Sequence, residues 1–181
     1  MTSRGVAIRL VGALACAACG HSGHVATHTP SPVARADATH EYPSPPPPRQ
    51  TATSAAPTAM RAIRSFATAY INWNAQTVSG DMRGLAADSI GQARAAMTLA
   101  AAQTAGDYEL VRGGIANRGQ VEAVAPLVGH GHEYVVITRE STTASNTTAY
   151  QGLQPAWHIA LATVQRLPGG RWVLTHWQPE S

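Results

Sequence analysis

Two cysteines, four spaced histidines and one His–Glu cluster are the residues whose types and spacing could do chemistry in this chain. Cys16 and Cys19 form a Cys-Ala-Ala-Cys step, and no cysteine follows them. A Cys-x-x-Cys redox pair belongs beside a βαβ pattern, and none follows here. A c-type haem needs histidine directly after the second cysteine, and Gly20 separates Cys19 from His21. What fits is a thiol that accepts lipid. Cys19 follows Ala17-Ala18 and precedes Gly20, the small-residue setting that lipidation uses. Cys16, after Leu14-Ala15, is the weaker candidate, because a cut there leaves too short an apolar run before it. Neither position has the usual leucine three residues upstream.

The second candidate is Gly129-His130-Gly131-His132-Glu133. A metal centre needs further convergent ligands, ideally on rigid elements. Glycine alternating with polar residues between two strand patterns is also what a hairpin tip looks like, and that is the expectation. His21, His24, His28 and His40 carry imidazoles that suit Cu²⁺ or Zn²⁺, but the surrounding segment offers no core to fix them. No metal and no cofactor is expected.

The elements that would position these groups begin with a leader. Arg4 and Arg9 precede an apolar run from Leu10 to Ala18, which ends in small residues. That is the layout of an export signal. The run is less than half of the roughly 20 residues that cross a bilayer, so it is expected to be cleaved rather than retained. Residues 1–19 are therefore assigned to a lipoprotein-type signal peptide. Residues 20–56 are rich in Pro, Thr, Ser, Ala and His, with Val25, Val33 and Tyr42 as the large apolar side chains. Such a segment cannot repay its ordering entropy and is expected to be a disordered tether. Residues 57–181 are enough for one domain with its own core.

Charge argues against nucleic acid. The pI near 9.2 comes largely from the leader. Once residues 1–19 are removed, eleven arginines face ten acids, interspersed and without a basic run that could track phosphates. The chain holds no lysine and is crowded with alanine and arginine, which points to the codon usage of a GC-rich, actinobacterial genome.

Within the domain, Pro57 is placed in a first helical turn, where its missing N–H costs nothing. Met60, Ile63, Phe66, Tyr70 and Trp73 follow as one apolar stripe at helical period, ending near Val78-Ser79-Gly80. A short helix over 81–88 turns Met82 and Leu85 inward. A third helix over 89–105 carries Ile90, Met97 and Leu99, with Gly106 as its stop. The period then becomes two. Strands are expected over 118–128 (Val121, Ala123 and Ala125 on one face), 133–143, 156–167 and 171–178, the last two joined at Pro168-Gly169-Gly170. That hairpin sets Arg166 opposite Trp172, where a cation–π stack is expected. Helices followed by hairpin-connected strands read as α+β, with N-terminal helices packed on a curled four-stranded antiparallel sheet. Trp73, Trp157, Trp172 and Trp177 are expected in core or sheet packing rather than in a carbohydrate platform.

This order resembles the nuclear transport factor 2-like superfamily, and more closely its extracytoplasmic branch. That branch includes periplasmic domains of type IV secretion scaffold proteins and their counterparts in Gram-positive conjugation systems. Residues 66–73 (FATAYINW) look like its first helix across the mouth of a cone, 155–164 (PAWHIALATV) like its penultimate strand, and 170–179 (GRWVLTHWQP) like its closing strand. One departure matters: the scaffold proteins carry a true membrane-spanning helix, whereas this chain has a short leader ending in cysteine.

The resemblance also implies where an enzyme on this fold would keep its acid and base: inside the cone, with Tyr70, Asp107, Glu133, Tyr134, Glu140 and His158 as the matching candidates. If Trp157, Ile159 and Leu161 face the core, alternation turns His158 outward. No carboxylate sits alone among strongly apolar neighbours, where its pKa would rise toward general-base work. No enzyme is therefore expected. Pocket or interface candidates are Tyr70, Trp73, Glu133, His158, Trp172, His176 and Trp177.

The expected function is that of an exported, lipid-anchored, non-enzymatic domain at the outer face of a bacterial cell membrane. It would act by protein–protein contacts in an envelope assembly of conjugation or secretion type. Its partners would be the membrane through its lipid, other envelope proteins and an optional second copy. A pocket of several hundred cubic ångströms with Asp, Glu or His among apolar walls would favour a cone enzyme or small-ligand domain instead. A cone filled by Phe66, Tyr70, Trp73 and the strand residues would exclude that alternative. An envelope metal-binding protein is the remaining alternative. Replacing Cys19 by serine is expected to abolish palmitate labelling and release the chain from the membrane fraction, while Cys16→Ser leaves both intact.

Overall fold

The computed structural model describes residues 46–180. The leader, Cys16, Cys19 and the four tether histidines lie outside the described residues. Helix α1 spans Ala59–Ile71, strand β1 Trp73–Asn74, α2 Val78–Ala87, α3 Gly91–Thr104 and α4 Tyr108–Gly113. Strands β2 (Ile115–Pro126), β3 (Glu133–Ala144), β4 (Ala156–Arg166) and β5 (Trp172–Glu180) follow. The five strands form one antiparallel meander in chain order, and the helices cover one face of it. The architecture is α+β, as the sequence indicates, with one short strand and one short helix more than expected. Among the described residues no helix is long and apolar enough to cross a membrane.

Helix α1 starts two residues later than the proline suggests. Thr58 is the cap: its Oγ1 accepts from the Arg61 N–H at 3.2 Å, and Pro57 lies before it. The buried stripe is Ala59, Ile63, Phe66, Ala67 and Ile71, and Met60 stands at its flank, 36% exposed. The helix ends at Ile71, well short of Val78, because Asn72 bonds sideways. Its Nδ2 donates to Thr68 O at 2.8 Å and to Gly119 O at 3.1 Å, and its Oδ1 accepts from Gly119 N–H at 3.1 Å. One amide thus stands in for a neighbouring strand, and Trp73 continues the pairing opposite Asn117. Gly119 is needed there: a Cβ would come within 2.8 Å of Arg139 O and 2.9 Å of Glu140 Cγ.

Val78 belongs to α2, where it is buried with Met82, Leu85 and Ala86. In α3 the buried positions are Ala93, Met97 and Ala101, while Leu99 is 58% exposed. Gly106, at φ +74°, follows the α3 cap as expected. The unexpected helix α4 is defined by its ends: Asp107 Oδ1 accepts from Glu109 and Leu110 N–H, and Gly114 closes it in the left-handed conformation.

Two bulges curl the sheet. Glu122 is an extra residue in β2 against β3, and Thr175 is an extra residue in β5 against β4. The first overturns the expected face for β2: Val121 and Val124, not Val121 with Ala123 and Ala125, pack on the core. The face of β4 is also the reverse of expectation. Ala160, Ala162 and Val164 are buried, while Trp157 is 62% and Ile159 48% exposed. Only small side chains fit where α1 and Trp177 press on this strand, so the bulky ones turn outward. Arg166 does pair with Trp172 in register. The expected cation–π stack is absent, however. Arg166 Nε donates to Gly170 O at 3.4 Å, and Trp172 meets the His132 ring at 5.2 Å.

Both ends of the sheet are tied to other parts of the chain. Along β5, Ala56 and Trp172 exchange two backbone bonds, Ile90 N–H donates to Leu174 O, and the Gln92 amide accepts from Trp177 N–H and donates to Trp177 O. Residues 50–56, assigned to the tether by composition, are therefore bonded to the domain. Arg171 holds Ala55 O, Gln50 Oε1 accepts from Gly91 N–H, and Arg94 reaches Thr51 O. Arg94 also donates to Ala86 O at 3.0 Å and Ser89 O at 2.9 Å, so one guanidinium joins the end of α2, the turn into α3 and the incoming segment. Arg94→Ala is expected to cost about 2 kcal/mol in urea unfolding and to open residues 50–56 to protease, with Arg94→Lys recovering little of either.

Candidate functional site

A cleft of about 510 Å³ opens between the concave face of the sheet and the helices. Its polar wall is built by period-two alternation on β3. Thr138, Glu140 and Thr142 share the face that Val136 buries further along the strand. β2 brings Asn117 beside them and β4 brings His158, which pairs with Thr138 in register. Tyr70 enters from the last turn of α1 and Trp73 from β1. The apolar wall is made by Val78 and Met82 of α2 and by Leu153 of the loop before β4.

Glu140 is the charged centre of this wall. Its Oε1 accepts from Thr138 Oγ1 at 2.5 Å and its Oε2 from Asn117 Nδ2 at 2.8 Å. Asn117 is itself held on both sides: Nδ2 also donates to Ile71 O at 2.8 Å, and Oδ1 accepts from Thr142 Oγ1 at 3.0 Å. Thr138 and Asn117 are buried, so these bonds are shielded from water and fix the carboxylate's direction.

Tyr70 sits over an aromatic floor. Its ring meets Trp177 edge-on at 5.3 Å and lies nearly parallel to Phe66 at 6.4 Å, while Phe66 and Trp177 meet at 5.3 Å. Burial pushes the phenol pKa above its ordinary 10.0. The nearby Trp177 indole opposes the shift, and the Glu140 charge adds to it. The indole Nε1–H approaches the phenol without reaching hydrogen-bond geometry and is buried with no partner among the described residues. Tyr70 is thus a neutral hydroxyl in the cleft across the physiological range.

Of the residues singled out in the sequence, the cleft gathers Tyr70, Trp73, Glu140 and His158, with Trp177 beneath. His158 faces into the concave side, not outward, because β4 presents its opposite face to the helices. The others lie elsewhere. Glu133 is at the far tip of β3, paired with His130 at 3.2 Å, while His132, at φ +69°, turns to Trp172. Asp107 is the α4 cap, Tyr134 packs on the core opposite Ala162, and His176 is exposed beside Thr175. Asn117, Thr138 and Thr142 were not anticipated. The Thr-x-Glu-x-Thr spacing of residues 138–142 is the signal that marks one polar strand face. Among the described residues no three His, Cys, Asp or Glu side chains converge as a metal site would require.

The convex face is different in kind. Register lines up Ala123, Ile137 and Ile159 in one row and Ala125, Val135 and Leu161 in the next, with Arg139 beside Trp157. The Arg139 guanidinium lies 5.9 Å from the centre of the Trp157 ring.

No family model matches the chain, and no curated protein matches it. Among solved structures, a TraE protein in complex with 4-(1H-pyrrol-1-yl)pyridine-2-carboxylic acid is similar, with 10% identity and a TM-score of 0.47. The match covers 67% of this chain and 93% of that one.

The raised Tyr70 pKa fixes the sign of a pH effect. The folded state holds the phenol proton more tightly than the unfolded chain does. The stability this contributes is whole below the ordinary value of 10.0 and is lost as pH rises through the raised one. No lysine titrates in that window. Urea midpoints measured from about pH 9 to about pH 11 are expected to fall more steeply for the wild type than for Tyr70→Phe.

Proposed function

We propose that this chain is an exported, non-enzymatic domain that acts by protein–protein contact in a bacterial envelope assembly of conjugation or secretion type. Lipid on Cys19 holds it at the outer face of the cell membrane, and the cone is of the nuclear transport factor 2-like kind. The observation that carries the reading is the convex sheet face. Trp157 and Ile159 stand exposed there beside Val135, Ile137 and Leu161, and an apolar face of this kind, bordered by charge, is what a contact surface offers. Arg118 and Arg139 border it at one end and Glu133 at the other.

The non-enzymatic part rests on the state of Glu140. Bonds from Thr138 and Asn117, one to each carboxylate oxygen, hold it in place as a fixed acceptor. A second reading, a small-ligand-binding domain, is favoured by the cleft itself. Phe66 is buried in the cone, yet Tyr70 and Trp73 line an opening of several hundred cubic ångströms with Glu140 and His158 among apolar walls.

A photo-crosslinking residue at position 157 of the full chain, expressed in its native envelope, is expected to give an adduct with another envelope protein. The same residue at Arg83 on α2 is expected to give none. Recovery of uncoupled chain alone at position 157 would overturn the contact reading. Trp157→Asp is expected to change unfolding stability by less than about 0.5 kcal/mol, since the side chain is largely in water, while abolishing function in the assembly.

A further inference from the structure

We propose that the cleft binds an organic ammonium, a small ligand with a protonated primary amine at one end and an apolar body at the other. The proposal rests on the ligand-binding reading and names what the cleft selects. Its centre is Glu140. A carboxylate out of bulk water is costly unless hydrogen-bonded or paired with a cation. Here the donors are neutral: the Thr138 hydroxyl on one oxygen and the Asn117 amide on the other. Each carboxylate oxygen has two lone pairs, so each keeps one acceptor direction beyond these bonds. Among the described residues no arginine or histidine nitrogen lies within ion-pair distance of Glu140. Arg139, its neighbour in sequence, and Arg118, on the adjoining strand opposite Ser141, belong to the opposite face by register.

The surroundings sort ligands by charge and shape. An anion meets the Glu140 charge, and the lining offers no arginine to offset it, His158 being the imidazole on that wall. A neutral hydroxyl can use the same lone pairs but gains roughly half as much as a charged donor. An ammonium gains both the charge-assisted bond and the electron-rich faces of Tyr70 and Trp73, which line the same cleft. Opposite them, Val78, Met82 and Leu153 form an apolar wall that fits a hydrocarbon body and offers no partner to a second charge. The fixed Asn117–Glu140–Thr138 unit is formed without the ligand, so binding orders little besides the ligand itself.

The test uses the full chain and three probes of equal shape: 2-phenylethylamine, protonated at pH 7, its neutral analogue 2-phenylethanol, and the anion phenylacetate. Binding is read by calorimetry and by tryptophan fluorescence. The amine is expected to bind saturably and at least tenfold more tightly than the alcohol, with phenylacetate weakest. Glu140→Gln is expected to remove the preference for the amine. Ala156→Trp, which places a bulky ring directly across the strand pair from Glu140, is expected to abolish binding of amine and alcohol together without lowering the melting temperature. Equal binding of amine and alcohol, or an amine affinity unchanged in Glu140→Gln, would overturn the ammonium proposal and leave the ligand-binding reading standing. Saturable binding of none of the three probes would overturn both.

Discussion

Phe66, Tyr70 and Trp177 bring the first helix of the domain into ring contact with its last strand. The three centroid distances, 5.3 to 6.4 Å, are those of packed aromatics, and the pairs are tilted or offset as ring quadrupoles favour. The consequences spread from there. With α1 held against β5, its lower turns bury Ile63 and Phe66 in the sheet's concavity, and its last turn is left to present Tyr70 to the open part of the cone. A chain with no cysteine after position 19 has no disulfide to do this work. Apolar closure by the most distant elements of the domain takes that role.

The same contact decides which face of the sheet is which. Because α1 and Trp177 press close, β4 can offer only Ala160 and Ala162 beneath them, and Trp157 and Ile159 are displaced to the convex side. One packing event therefore creates both of the surfaces on which the proposed roles rest. The inside is partly filled by aromatic rings and partly open around Glu140, and the outside carries the large side chains the inside could not hold.

Much of this was legible in residue order. The stripe of Ile63, Phe66 and Tyr70, the change of period after Leu110, and the Pro168-Gly169-Gly170 hairpin fix helices, strands and the last register from local rules. Facing was not legible. The rule that large apolar residues point inward fails on β4, where alanine is the core residue because space is short. On β2 the rule that fails is strict alternation, because a bulge at Glu122 resets it and leaves no mark in composition. The short α4 escaped because its stability lies in caps, Asp107 and Gly114, rather than in an apolar stripe. Of the cleft, Tyr70, Glu140 and His158 were indicated by resemblance. The uncharged partners that orient Glu140 were invisible, since a threonine or asparagine in a strand is informative only once its neighbour across the sheet is known.

Two side-chain amides, Asn72 and Gln92, occupy sheet-edge hydrogen bonds that another strand would otherwise take. Both belong to segments that reach the sheet only when the helices have docked. Before that moment β2 and β5 present open ladders, the template on which strands of separate chains add to one another. Protection from self-association is thus a late product of folding, not a property of the strands. For a chain exported as proposed, the greatest exposure to aggregation falls in any interval between strand pairing and helix docking. The two amides set when that interval closes.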